Sequence, residues 1–207
     1  FDDDARTISR ELEIALTSRE MGKRPRVPLA GIPYPALDTY LARLTKKGYK
    51  VAICEQTSDP ATSRGLVDRE VVRVVTPGTV IESAALDQNA NNYLAAVVTD
   101  GQDAGLAYVD ITTSEFATTQ LTVGRLGVEL ARLTPAEVLI PEGADEPPVG
   151  HGATVSPVDV DAFQVDWARE TLTGHFNTAS LEAYGCEHLP LAIRAAGAII
   201  DYLSRTQ

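Results

Sequence analysis

The stretch YLAAVVTDGQDAGLAYVDITTSEFATTQL, residues 93–121, decides the fold of this chain. It divides into three strand-like segments separated by short turns, which predicts consecutive antiparallel hairpins. The segments are residues 93–99, 105–112 and 115–121. The apolar period then becomes helical over residues 123–133, and a short strand is predicted at 137–140.

Turn residues and apolar periodicity also predict the structure of residues 141–207. Residues 141–157 contain several prolines and glycines and are predicted to form a loop. Helical segments are expected at 166–172, near Leu181 and at 189–203, so the order is β-β-β-α-β-α-α. A mixed sheet that begins with a three-stranded meander is typical of ribonuclease-H-like folds.

Upstream residues alternate between helix and strand patterns, which indicates a smaller α/β unit with a mixed sheet. Helices are predicted at 2–17 and 35–47, and strands at 27–32, 49–56 and 71–75, the strand at 49–56 as a buried one. Residues 81–92 have little periodicity and contain the polar run DQNANN, so we expect a linker there. The predicted organisation is therefore a domain at 1–80, a linker at 81–92 and a second domain at 93–207.

Composition is that of a globular protein, with 207 residues, 44% hydrophobic and 23% charged. No apolar run is long enough for a membrane helix, and the start FDDD is acidic where a signal peptide is basic. Cys54 and Cys186 fit no metal-ligand pattern. We expect a cytoplasmic protein with two reduced cysteines; one disulfide is the alternative.

The net charge of −11 is divided unevenly along the chain. Residues 1–79 contain 13 Lys and Arg against 11 Asp and Glu, whereas residues 80–207 contain 5 against 18. Basic side chains in the first part can reach phosphate, and the acidic remainder would repel it. Solvated surface charge gives the same composition, so charge alone leaves both interpretations open.

Few patterns here point to catalysis. No Gly-rich phosphate loop occurs, and the three histidines lack metal-site spacing. Asp110 is the one enzymatic candidate, because ribonuclease-H-like nucleases place a metal-binding Asp on the first strand, although Asp110 falls on the second predicted strand. Its possible partner carboxylates are Glu115, Glu137, Asp166 and Glu170.

Several motifs closely resemble the N-terminal part of the MutS family of DNA mismatch-repair proteins. In order they are LAGIPY (29–34), VAICEQ (51–56), DPA (59–61), RVVTPGT (73–79), NYLAA (92–96) and VDITTSEF (109–116). The resemblance implies a mismatch-recognition domain followed by a ribonuclease-H-like connector domain. It implies duplex DNA with mismatches, the protein MutL, the remaining domains and a second subunit as partners, and a nucleoid-associated location.

The same resemblance implies that ATP and Mg²⁺ are bound elsewhere in full-length members, so this chain is expected to hold no cofactor and not to be an enzyme alone. Arg19 and Arg69 match family positions that face DNA, with Arg19 placed at the end of the first helix. The further candidates for phosphate contact are Lys23, Arg24 and Arg26. Gly31, Pro33, Pro77 and Gly78 are assigned to backbone shape at turns.

Three departures from the family pattern limit what is carried over. The family reads a mismatch with a Phe-x-Glu element before the first helix, and Phe1 matches the aromatic residue after it, so neither role falls on Phe1. Pro35 replaces a frequent His, and Glu70 replaces a frequent basic residue. In that element the Phe inserts as a wedge into the base stack, and this insertion supplies the discrimination between mismatched and paired DNA. We therefore expect this chain alone to bind DNA weakly and without mismatch preference; a pure protein-interaction scaffold is the other alternative.

Overall fold

The computed structural model describes residues 1–20, 26–57, 68–81, 91–150 and 152–206. Within these ranges, helices α1 to α5 span Asp2–Leu12, Leu37–Thr45, Val123–Leu133, Val165–Phe176 and Pro190–Thr206. Strands β1 to β9 span Thr17–Arg19, Val27–Leu29, Val51–Gln56, Arg69–Val75, Leu94–Asp100, Asp103–Asp110, Glu115–Thr122, Glu137–Pro141 and Thr154–Val158. We call residues 1–81 the N-terminal unit and residues 91–206 the C-terminal unit.

The C-terminal unit is built on a five-stranded mixed sheet in the order β7-β6-β5-β8-β9. Strands β5, β6 and β7 form the predicted antiparallel meander, with Leu94 opposite Val109 and Tyr108 opposite Ala117. Strands β8 and β9 extend the sheet in parallel on the other side of β5. This order and these directions are those of a ribonuclease-H-like fold, so the predicted α/β class is confirmed.

Both faces of the sheet are covered, and β5 shows why. Its Leu94, Ala96 and Val98 belong to the apolar cluster with α4 and α5, whereas Ala95 and Val97 belong to the cluster with α3. Successive side chains of a strand point to opposite faces, so a run of apolar residues is required where both faces are buried.

Small residues let α5 lie close to its neighbours. A Cβ atom at Gly105 on β6 would lie 2.0 Å from the backbone oxygen of Leu191, and one at Gly197 would lie 2.4 Å from the Cβ of Ala168 on α4. Helix α5 thus packs almost backbone to backbone against the sheet and against α4.

The N-terminal unit is smaller, and its described strands form two separate antiparallel pairs, β1 with β2 and β3 with β4, where one small mixed sheet was expected. Its apolar cluster consists of Leu41, Ala42, Val75 and Val80, with Leu37, Val51 and Ile53 packed against them. The strand predicted to be buried at 49–56 is in fact half-buried or exposed, and β4 is the one described strand with which β3 pairs.

The first helix is shorter than predicted. It ends at Leu12, since Glu13 adopts a left-handed φ of 57° and the N–H of Ile14 returns to the carbonyl of Ser9 at 3.1 Å. Residues 17–19 instead form β1. The prediction that Arg19 lies at the end of a helix was therefore wrong: it ends a strand.

A second correction concerns the predicted loop at 141–157. Strand β9 starts inside it and pairs in parallel with β8, with Pro157 opposite Ile140. Proline is tolerated in β9 because it is the last strand of the sheet. Prolines and glycines around a short edge strand therefore concealed it.

The structure bears on three further predictions, which concern the linker, the two cysteines and a membrane helix. Residues 82–90 of the predicted linker lie outside the described residues, so the domain division stays a prediction. Cys54 and Cys186 are both free, which excludes the alternative of a disulfide between them in this structure. In the described part of the chain, no helix has the length and apolarity needed to cross a membrane.

Candidate nucleic-acid interface

Two of the predicted DNA-facing arginines lie at one end of the β1–β2 pair. Arg19 is the last residue of β1 and stands opposite Val27, the first residue of β2. Arg26 directly precedes Val27 in the chain. Both arginines are exposed, and neither guanidinium has a hydrogen bond or ion pair to another described residue. Lys23 and Arg24, in the connection between these strands, lie outside the described residues.

Arg69 lies on the other strand pair. It is the first residue of β4, opposite Gln56, and is exposed without a side-chain partner in the described ranges. Glu55 and Glu70 form the next cross-strand pair. Because neighbouring residues of a strand point to opposite faces, these carboxylates lie on the face away from Arg69 and do not neutralise it.

Two lysines of the N-terminal unit are already engaged. Lys47 donates to the carbonyl of Glu11 at 2.8 Å and to its carboxylate at 3.0 Å. Lys47 and Arg10 together lower the pKa of the Glu11 carboxyl group. Lys50 lies 3.4 Å from Glu137 and above the ring of Tyr202. The exposed arginines are thus better placed than these lysines to meet phosphate.

The two predicted turn motifs differ in structural role. Pro33 precedes a short 3-10 turn at Tyr34–Ala36. A Cβ at Gly31 would meet nothing within 4 Å in the described structure, and its φ is not left-handed. Gly78 is different, because a Cβ there would lie 2.8 Å from Cδ1 of Leu94 and 2.9 Å from Cβ of Glu137. Close approach, and not backbone conformation, requires glycine at 78.

Glu137 begins a strand, as predicted, but the sequence did not indicate the role of its side chain. It was weighed as a nuclease carboxylate, yet its side chain is fully buried at the junction of the two units. Its Oε2 accepts from the hydroxyl of Thr76 at 2.5 Å and from the N–H of Gly78 at 3.0 Å. Its Oε1 accepts from Ser156 at 2.5 Å and from Tyr202 at 2.9 Å.

The protonation of the groups at the junction agrees with their hydrogen bonds. Burial, and the nearby carboxylate of Glu137, raise the pKa of Tyr202, so this phenol stays a hydrogen-bond donor. No buried side-chain nitrogen or oxygen in the described chain lacks a partner. The only sequence signal for this arrangement is an acidic residue heading the apolar strand EVLIP.

Asp110, the nuclease candidate, is also held by protein donors. It accepts from the N–H and the hydroxyl of Thr112 at 2.9 and 2.6 Å and from the N–H of Asn92 at 3.2 Å. Over the described ranges, no group of three His, Cys, Asp or Glu residues could hold a metal ion. These contacts are those of a turn-forming aspartate.

Comparison with known proteins assigns both units. Residues 1–84 match the family model described as MutS domain I, and residues 92–207 match MutS domain II. DNA mismatch repair proteins MutS from Dehalococcoides mccartyi, Thermosynechococcus vestitus and Methanococcoides burtonii are 53%, 47% and 44% identical. Each alignment covers 100% of this chain and 24%, 26% and 25% of the respective relative, so the chain spans about a quarter of their length. With its motifs, its two units and its fold in agreement with these matches, the chain belongs to the MutS family of DNA mismatch repair proteins.

Proposed function

We propose that the chain is a DNA-binding and coupling module, in which the N-terminal unit contacts duplex DNA and the C-terminal unit joins it to protein partners. The observation that carries the proposal is the set of exposed arginines at 19, 26 and 69, which have no side-chain partner among the described residues and lie in the basic part of an otherwise acidic chain. A guanidinium that no carboxylate neutralises is free to make charge-assisted bonds to phosphate.

Such contacts give affinity without reading sequence. Arginines on phosphate release counterions, so the binding constant falls steeply with salt, and they fix the position of the protein on the duplex. Mismatch reading needs a further element that unstacks the weakened step. Phe1 is 56% exposed at the start of α1 and was not assigned that role. Equal weak binding to mismatched and paired DNA is the expectation for this chain.

The C-terminal unit suits protein contacts better than phosphate. Residues 91–206 contain 5 Lys and Arg against 16 Asp and Glu. Like charge disfavours approach to a nucleic acid. We infer that in a full-length member this unit faces MutL, other domains or a second subunit, and that ATP hydrolysis with Mg²⁺ belongs to the rest of that protein.

Fluorescence anisotropy of a labelled duplex, fully paired or with one G·T mismatch, tests the proposal. The chain is titrated at several salt concentrations, and the slope of log K against log salt counts phosphate contacts. Each lost contact reduces that slope by about 0.9. The double variant Arg19→Gln, Arg69→Gln is therefore expected to reduce the slope by about 1.8 for both duplexes.

Arg125→Gln is the matched control, because Arg125 is an exposed arginine of α3 without a side-chain partner in the described structure. It removes the same charge from the acidic unit and is expected to leave the slope unchanged. An unchanged slope in the double variant would contradict the DNA-facing assignment and favour a protein-interaction scaffold. A preference for the mismatched duplex would show that a reading element is present in this chain.

A further inference from the structure

The carboxylate of Glu137 receives its donors from two units at once. The N-terminal unit supplies the hydroxyl of Thr76, the N–H of Gly78 and, at 3.4 Å, the ammonium group of Lys50. The C-terminal unit supplies the hydroxyls of Ser156 and Tyr202. Oε2 takes both of its hydrogen bonds from the N-terminal unit, so this oxygen is saturated only when the two units are in contact.

Lys50 and Thr76 mark one end of the β3–β4 hairpin, which we call its root. Lys50 directly precedes β3 and Thr76 directly follows β4, and Val51 stands opposite Val75 in the register. The other end, its tip, is the pair of Gln56 and Arg69. The seven steps of about 3.3 Å from Thr76 to Arg69 place the tip about 23 Å from the root.

The root is also fitted sterically into the C-terminal unit. Gly78 lies against Leu94 and Glu137 so closely that a Cβ would come within 3.0 Å of both. The side-chain amide of Asn92 donates to the carbonyl of Pro77 at 3.0 Å. Thr76 and Thr79 are buried, and their hydroxyls lie 3.0 Å apart. The turn from 76 to 79 is thus enclosed by the other unit.

We propose that Glu137 is a positioning residue that fixes the root of the β3–β4 hairpin on the C-terminal unit and thereby holds Arg69 in place. Its relevance to DNA rests on the proposed function. A buried acceptor that loses its donors is costly, and hydrogen bonds define direction more sharply than apolar contact does. A tilt of about 6° at the root would displace the tip by about 2 Å over the length of the hairpin.

The test measures the spread of distances between the two units, in the absence of DNA. One nitroxide label is attached to the exposed Cys54 on β3 and the other to Val128→Cys, at a position of α3 that is 70% exposed. Cys186 is buried, and burial raises the pKa of its thiol, so it reacts slowly with the label. Double electron–electron resonance on the 207-residue chain then gives the distance distribution.

Gly78→Ala inserts a methyl group between the units and is expected to broaden that distribution about twofold, since units without a fitted interface move by default. Gly31→Ala is the matched control, because a Cβ there meets open space. Thr76→Val removes one donor without adding volume and is expected to broaden the distribution as well. Its control is Thr118→Val, whose hydroxyl bonds only carbonyls within the C-terminal unit.

If Gly78→Ala does not fold, the distance distribution of Thr76→Val tests the positioning role by itself. Distributions as narrow as that of the unsubstituted chain in the variants that fold would overturn the positioning role. Arg69→Gln separates this inference from the proposed function, because it should change the salt dependence of DNA binding and leave the distance distribution narrow. Broadening by Thr76→Val with no DNA binding by any variant would support the positioning role and refute the proposed function.

Discussion

Glu137→Gln changes a single atom at the junction, an oxygen replaced by an NH₂ group, and its cost follows from which donors face that atom. At the Oε2 position the new amide would face the N–H of Gly78, a backbone donor that cannot reverse. At the Oε1 position it would face the hydroxyls of Ser156 and Tyr202, which can rotate to accept, and the more distant ammonium group of Lys50, at 3.4 Å, which can be hydrated instead. The glutamine is therefore expected to place its NH₂ group towards these hydroxyls.

The magnitude comes from the loss of charge in the remaining bonds. A hydrogen bond to a charged group contributes about 1.5–3 kcal/mol and a neutral one about 0.5–1.5 kcal/mol, so each retained bond weakens by about 1 kcal/mol. The side chain of Lys50 is 39% exposed and can be hydrated, which holds its share below about 1 kcal/mol. The four hydrogen bonds would together lose about 4 kcal/mol, and burying a neutral amide costs less than burying a carboxylate, which offsets part of this loss. We expect a net destabilisation of about 3 kcal/mol, or about 6–12 °C in Tm for a chain of this size.

Urea unfolding followed by far-UV circular dichroism measures this change, and fluorescence of Trp167, the one tryptophan of the chain, reports on the C-terminal unit. Glu129→Gln is the control, since Glu129 pairs with Arg132 at the surface and substitutions there cost within about 0.5 kcal/mol. A loss below about 1 kcal/mol for Glu137→Gln would refute the reasoning that its carboxylate charge holds the junction together.

Two further substitutions test the packing and the electrostatics of the C-terminal unit. Gly197→Ala gains up to about 1 kcal/mol of helix propensity but places its Cβ 2.4 Å from α4, so thermal unfolding should show a net loss of stability of about 2 kcal/mol. The control, Gly174→Ala, has open space around it and should gain about 0.5 kcal/mol of stability. The N–H of Leu181 and the guanidinium of Arg169 lower the pKa of Glu187, so its contribution to stability is present above about pH 4.5 and is lost on acidification. Glu187→Gln should therefore reduce the fall in Tm between about pH 5 and pH 3, and an unchanged fall would contradict this assignment.

Sequence predicted the elements whose signals are local. Helix α3 was predicted with its observed bounds, Val123–Leu133, and the meander within two residues at each end. The strands of the meander contain β-branched, aromatic and apolar residues, and short turns separate them, so each signal falls within the element that it specifies. Strand β9 was missed because its partner residues on β8 lie 17 positions upstream, across a stretch with several prolines and glycines, and Pro157 argued against a strand.

The candidate interface was predicted only in part, for the same reason. Arg19, Arg26 and Arg69 were selected from charge and resemblance, and exposure leaves all three available. The predicted course of the chain around Arg19 was wrong, because a single left-handed residue, Glu13, ends a helix whose apolar period continues in the sequence. Glu137 could not be found by pattern, since its hydroxyl donors lie 61, 19 and 65 residues away.

The turn at residues 76–79 changes how motion between the units has to be described. A polar stretch at 81–92 predicts a linker, and a linker predicts that the units move about it. Yet Thr76 and Thr79, which precede that stretch, are buried against Glu137 and its neighbours. Any displacement of Arg69 relative to the C-terminal unit must then bend the β3–β4 hairpin or break the bonds of Glu137. Movement within residues 81–92 alone leaves Arg69 where it is, because the chain has already been fixed upstream of that stretch.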